Sequence, residues 1–224
     1  MSYVFDFGAI VPYVPLFAKG IAITVELTVV GGVLGVGLGI ACAWARSLGP
    51  RWLRPPVALY VELIRNTPFL IQLFFIFFGL PSLGISLGEM QAAILAMVIN
   101  LGACGCEIIR AGIEATPKGQ FEAGASLAMT RLQTFFHVVL MPALQRIWPA
   151  LSSQIVIVMF GSAVCSQIAV EDITFAANFI QSRTFRAFEV YIIATVLYLV
   201  LALILRQGMR SLAGLLFPRR RAVR

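Results

Sequence analysis

The sequence has 224 residues, of which 60% are hydrophobic and only 12% charged, with a mean hydropathy of +0.93. Soluble domains carry roughly 25% charged residues, so the composition excludes a soluble enzyme and points to an all-α protein that crosses a membrane several times. The net charge of +7 is no argument for nucleic acid, because the basic residues cluster in loops and at the C-terminus, the pattern that sets membrane topology. Long unbroken apolar runs, rather than short alternating ones, argue for helices over a β-barrel.

The N-terminal stretch MSYVFDFGAIVPYVP is acidic and aromatic without a basic leading region, so no cleavable signal peptide is expected. Residues 11–17, with Pro12 and Pro15, are expected at the membrane surface ahead of the first span. A span needs roughly 20 apolar residues, and five stretches qualify: 21–45, 57–80, 90–109, 147–170 and 187–205. The first carries Gly31, Gly35, Gly39 and Ala43 at four-residue spacing, which lets two helices approach closely, within the chain or between subunits. The second is interrupted by Glu62, Arg65 and Pro68. Pro68 is expected to kink it, because a helix restarting there is too short to span. Glu62 with Arg65, and Glu107 with Arg110, stand three apart and are expected to pair internally rather than to meet a substrate. Cys42, Cys104, Cys106 and Cys165 lie in apolar surroundings with no C-x-x-C pair, and read as small buried hydrophobes.

With five spans the two ends face opposite sides. Placing the C-terminus inside puts Arg46, Arg51 and Arg54 in the first inner loop, and Arg110, Lys118, Arg131 and Arg146 in or beside the second. Arg206, Arg210, Arg219, Arg220, Arg221 and Arg224 then form an inner tail, against Lys19, Arg183 and Arg186 outside. That bias predicts an N-terminus outside and a C-terminus in the cytoplasm.

The largest inner segment, 111–146, is too short for a domain. Within it, KGQFEAGASLAMT is small-residued and only weakly apolar. Pro117 and Gly119 break the chain, and a helix of about two turns is expected over 121–128. Ala123, Gly124, Ala125 and Ser126 give it little bulk, which suits a helix that enters a groove on another protein; a helix lying on lipid has the same composition.

The stretch EIIRAGIEATPKGQFEAGASLAMTRLQTFFHVVLMPAL resembles the cytoplasmic loop of permease subunits of bacterial binding-protein-dependent ABC importers, in the polar amino-acid uptake family of histidine, glutamine and arginine permeases. The resemblance extends over LTVVGGVLGVGLGIACAWAR, YVELIRNTPFLIQLFFIFFGLP, WPALSSQIVIV and SQIAVEDIT, most of the chain. It implies the type I ABC importer permease fold in a bacterial inner membrane. It implies as partners a dimer of ABC ATPase subunits, a second permease subunit and a periplasmic binding protein. On this resemblance Gly119, Glu122, Ala123, Gly124, Leu127 and Ala128 couple to the ATPase, with Glu122 as a charged anchor. ATP and magnesium belong to that partner, and this chain is expected to bind no cofactor. Within this loop the chain departs from the family pattern in three places. Gly124 replaces a second Ala, Ala128 stands where Gly is usual, and the proline of Leu140-Met141-Pro142 comes one place late. Ala at 128 is expected to disfavour a left-handed backbone and alter the turn. Phe160 stands where the family carries Lys, which suits a heterodimer whose other permease holds the ligand.

No phosphate-binding G-x-x-x-x-G-K-[ST] motif occurs, so ATP hydrolysis by this chain is not expected. His137 is the one histidine, and no Ser-His-Asp or paired-carboxylate site can be assembled from loops this short. Polar residues at membrane depth are Gln72, Asn100, Gln154, Ser162, Ser166 and Gln167. Such groups face protein or a water-filled cavity. Asn100, Gln154, Ser162, Ser166 and Gln167 are the pathway candidates, the first three foremost; the amides among them both donate to a carboxylate and accept from an ammonium, which suits a zwitterionic amino acid. Glu171 and Asp172 at the outer end of the fourth span either meet a partner or gate, or are solvated loop charges. An ion-coupled secondary transporter, a non-transporting scaffold, and a permease for an amino-acid derivative or opine are the alternatives.

Overall fold

A 3₁₀ turn over Gly8–Tyr13 leads into helix α1, Val14–Ser47, so the first membrane helix starts well before residue 21 and takes in the segment expected at the surface. Pro15 fits because the first helical positions donate no intrahelical bond. A further 3₁₀ turn, Arg51–Leu53, precedes α2, Arg54–Arg65. Helix α3, Phe69–Phe74, continues through a π-helical turn, Phe75–Gly79, and a 3₁₀ turn, Leu80–Leu83. Then come α4, Glu89–Glu114, α5, Lys118–Ser126, and α6, Arg131–Thr134. A second π-helical turn, Phe135–Val139, joins α6 to α7, Leu140–Cys165. Helices α8, Ile173–Thr184, and α9, Ala187–Leu216, complete the chain. This computed structural model describes residues 5–217, so Arg219, Arg220, Arg221 and Arg224 of the expected basic tail lie outside the described residues.

Among the described residues, four stretches are long and apolar enough to cross a membrane: Gly8–Ser47, Glu89–Glu114, Arg131–Ile168 and Ala187–Leu216. The pair Arg51–Arg65 and Phe69–Leu83 makes a fifth if taken as one broken span. The break corrects the simple kink expected at Pro68. Proline withholds an N–H and disfavours helical geometry in the residue before it. The end of α2 is closed from behind instead: Asn66 Nδ2 donates to the Glu62 carbonyl at 2.8 Å and Thr67 Oγ1 to the Leu63 carbonyl at 2.9 Å. The chain then restarts at Phe69. Both π turns precede a proline, Pro81 and Pro142. A proline ring collides with the carbonyl four residues back in a regular helix, and a widened turn relieves that collision without breaking the helix.

The chain divides into two compact units. One comprises Met1–Gly32, Phe69–Met97 and Val156–Leu205. Its core gathers Ile10 and Phe17, then Ile173, Ala177 and Ile180 of α8, and Val190 of α9. The other comprises Val33–Pro68, Val98–Ile155 and Arg206–Arg224. Its core joins Ala43 of α1, Val61 of α2, Cys106 and Ile109 of α4, and Phe135 and Ala143. The glycine row of α1 packs inside the chain, against α4. A Cβ on Gly31 would lie 3.2 Å from Met97 Cβ in the first unit. In the second unit, a Cβ on Gly35 would lie 2.8 Å from Leu101 Cβ, and one on Gly39 would lie 3.2 Å from the Cys106 nitrogen. The four cysteines are free, three of them buried.

Candidate functional site

The segment outside the long helices is shorter than 111–146, because α4 runs to Glu114 and the helix that starts at Arg131 continues to Ile168. Its base is tightly built. A Cβ on Gly112 would lie 2.7 Å from Ile147 Cγ2, and Arg146 donates to the Ala115 carbonyl. Between these ends stands α5, which spans Lys118–Ser126 rather than 121–128. Its inward side carries the part-buried Phe121 and the buried Gly124; Glu122, Ala123, Ser126 and Leu127 are exposed, Leu127 at 74%. Gly124 is required by contact: a Cβ there would lie 2.7 Å from Thr134 Cγ2 and 2.8 Å from its hydroxyl. Gly119 is exposed, with open space around it.

The end of α5 is closed by two reversed bonds. Met129 N–H donates to the Gly124 carbonyl at 3.1 Å and Ala128 N–H to the Ala125 carbonyl at 3.0 Å. This is the Schellman pattern, which needs a left-handed residue at its turn. Ala128 supplies it at φ 53°. The expectation that alanine would avoid this conformation is therefore corrected: the two carbonyl bonds outweigh a methyl penalty of roughly 1–2 kcal/mol. Immediately afterwards Thr130 and Gln133 form a reciprocal cap, Thr130 N–H to Gln133 Oε1 at 2.8 Å and Gln133 N–H to Thr130 Oγ1 at 3.3 Å. The cap and the reversed turn fix the exit angle of α5. His137 is exposed, and its Nδ1 lies 3.0 Å from the carbonyl of Gln133 on its own helix.

The pathway candidates fall in both units: Asn100 and Gln154 in the second, Ser162, Ser166 and Gln167 in the first. Asn100 and Gln154 are half-buried and Gln167 is exposed. Ser166 donates to the Ala163 carbonyl at 2.7 Å, a bond within its own helix end. Ser162 is fully buried and its hydroxyl has no hydrogen-bond partner among the described residues, although it lies near a carboxylate that sequence reasoning left undecided. That carboxylate is Asp172. It is 0% exposed, so the solvated-loop reading is corrected for it. It caps α8, accepting from Phe175 N–H at 2.9 Å, and it accepts from Tyr198 O–H at 2.8 Å. Tyr198 gives its proton to Asp172, so Thr174 Oγ1 donates to the tyrosine oxygen at 2.9 Å. Burial pushes the Asp172 carboxyl above its ordinary range, against the lowering pull of these bonds. Glu171 instead reaches outward and pairs with Lys19. Phe160 sets its ring 6.3 Å from that of Tyr198.

Charged pairing was legible only in part. Glu107 does meet Arg110, at 2.9 Å, and Arg46 of α1 also bonds it. Glu62 and Arg65 are exposed and no ion pair joins them. Also missed was Glu189, fully buried at the start of α9. It accepts from Asp6 N–H at 2.9 Å and lies 3.6 Å from Arg186. An Asp before Ile-Thr-Phe is a helix-start signal that could have found the capping role of Asp172. Nothing in the sequence shows that Tyr198 completes it.

Comparison with known proteins agrees with this geometry. The family described as binding-protein-dependent transport system inner membrane component matches residues 35–219. The glutamine transport system permease protein GlnP of Escherichia coli K12 is 34% identical over 211 residues, 93% of this chain and 96% of the relative. The arginine transport system permease protein ArtQ of Bacillus subtilis is 34% identical, over 89% and 92%. The L-cystine transport system permease protein TcyB of the same organism is 35% identical, over 85% and 82%. A crystal structure of an amino acid ABC transporter with histidines superposes with a TM-score of 0.83 at 36% identity, over 94% of this chain and 99% of that one. The MetNI methionine ABC transporter, at 20% identity and a TM-score of 0.78 over 92% and 98%, shares the fold.

Proposed function

From a chain that belongs to the family of inner membrane components of binding-protein-dependent transport systems, we infer the membrane subunit of an ATP-driven importer for a polar amino acid. The substrate class follows the relatives, whose names specify glutamine, arginine and L-cystine. The cargo is handed over by a periplasmic binding protein and enters the cytoplasm across a bacterial inner membrane. The Lys and Arg distribution supports a C-terminus and an α5 on the cytoplasmic side.

One observation carries the coupling role. Helix α5 stands outside the long helices, is held from behind by Gly124 on Thr134, and turns Glu122, Ala123 and Leu127 outward. An exposed leucine beside a carboxylate and small side chains suits a groove on a partner ATPase subunit. Glu122 anchors there by a charge-assisted bond, worth roughly twice a neutral one. ATP and magnesium are bound and turned over on that partner; nucleotide-driven closure pushes α5, and a stiff base transmits the push to α4 and α7. A second permease subunit completes the pore. Asn100, Gln154, Ser162 and Gln167 are the groups proposed to meet cargo, the buried Ser162 hydroxyl having no hydrogen-bond partner among the described residues, whereas Ser166 bonds the Ala163 carbonyl of its own helix end. Phe160 in place of an ammonium favours a pairing in which the other permease holds the ligand.

The test is Glu122→Arg in the assembled transporter. Uptake of labelled amino acid should fall at least about tenfold, the effect of about 1.4 kcal/mol or more of lost coupling, while assembly and thermal stability stay unchanged. Uptake at full speed in a normally assembled complex overturns the coupling role.

A further inference from the structure

The inner parts of α7 and α9 enclose a cleft that the transport reading leaves without a task. From Val190 to Leu205 helix α9 carries no charged residue. At about 1.5 Å per residue that run covers roughly 24 Å, close to the thickness of a hydrocarbon core. Arg206 and Arg210 follow at once, one turn apart on one face. They therefore stand at the level where phospholipid phosphates lie. Trp148 of α7 faces them: its indole N–H donates to the Met209 carbonyl at 2.9 Å, and its ring meets Phe217 edge-on at 5.3 Å. This bond fastens α7 to α9 and leaves beside it a cavity of about 460 Å³, lined by Trp148, Pro149, Ser152, Ser153, Arg206 and Arg210.

The chemistry of the lining is unbalanced. Neither arginine meets a carboxylate among the described residues. The Ser152 hydroxyl is buried without a hydrogen-bond partner, a condition that normally costs about 1–3 kcal/mol. Two guanidinium forks and an unsatisfied hydroxyl around one space call for a ligand with several strongly accepting oxygens and negative charge, which is a phosphate ester. Basic clefts between membrane helices near a headgroup layer are suited to lipid phosphates, and an indole belongs at that same depth.

We propose that this cleft holds the phosphodiester headgroup of an anionic membrane phospholipid. Arg206 and Arg210 chelate the phosphate oxygens, Ser152 donates a third bond from the cleft floor, and Trp148 walls the site on the α7 side. The proposal does not depend on the cargo or on α5.

The test is native mass spectrometry of the purified full-chain transporter titrated with dioleoylphosphatidylglycerol. Retention of the lipid should drop at least about tenfold in R206Q/R210Q and severalfold in S152A, as expected for losing charge-assisted bonds. R206K/R210K, which keeps the charge and loses the fork, should fall between. R51Q/R54Q, which removes the same charge elsewhere, should bind as the parent does. Dioleoylglycerol, which has the tails without the phosphate, should not be retained, and inorganic phosphate should not displace the lipid. Equal retention by R206Q/R210Q, an equal loss in R51Q/R54Q, retention of dioleoylglycerol, or displacement by free phosphate each overturns the proposal. S152A and the lysine pair decide the matter should the glutamine pair fail to purify as a folded chain.

Discussion

At the scale of single residues, Asp172 shows how a charge near a membrane is tolerated. Its carboxylate is out of solvent, yet its oxygens accept from a helix N-terminus and a tyrosine hydroxyl. Burial nevertheless dominates and raises its pKa from the ordinary 3.8. A raised value means the folded chain holds the proton more tightly than the unfolded one. The contribution of this group to stability is therefore fullest below about pH 4 and falls as pH climbs through the folded pKa, by about 1.4 kcal/mol for each unit of elevation. Asp172→Asn keeps a cap acceptor and removes the titration. The melting temperature of the parent, measured against that of the D172N variant, should decline from pH 4 upward; a constant difference counts against the assignment. The motif Glu171-Asp172 was readable as two outer charges. Only the fold separates them, Glu171 to a surface pair with Lys19 and Asp172 to the interior.

At the scale of elements, α5 is defined by its ends and by one missing methyl group. Its existence was legible, because Pro117, Gly119 and the small residues after Phe121 mark a short helix. Its bounds and backing were not, because Thr134 lies a full turn into the next helix and no local pattern pairs it with Gly124. Gly124→Ala should drive a Cβ into the Thr134 side chain and cost about 1–3 kcal/mol, as overpacking does. Adding Thr134→Ala removes both atoms it would strike, so the double variant should recover at least about half of the loss in a double-mutant cycle of thermal unfolding. No recovery would mean that the two helices do not meet there. Ala128 was misjudged on local grounds: the alanine methyl argued against a left-handed turn, and the two local backbone bonds back to Gly124 and Ala125 overrule it.

At the scale of the whole molecule, four unbroken apolar helices and one broken pair among the described residues make a membrane protein of the binding-protein-dependent transport family. Coupling through α5 predicts the energy source. In vesicles holding the assembled transporter, uptake should require ATP and fall to background without it, while collapse of ion gradients leaves it unchanged. Uptake that persists after ATP depletion with the gradient intact would instead mark a secondary transporter. By itself the sequence determined the membrane class, the apolar stretches, the family likeness and the presence of a small-sided helix between the third and fourth spans. Each of these is written in local composition and spacing, where a lipid solvent leaves a chain few choices. The tertiary structure alone decided that Pro68 ends a helix, that Asp172 is buried and Glu171 is not, that Gly124 rests on Thr134, and that Arg206, Arg210 and Ser152 share a cleft. Those facts depend on which distant residues come within a few ångströms of one another, and spacing along a chain does not encode that distance.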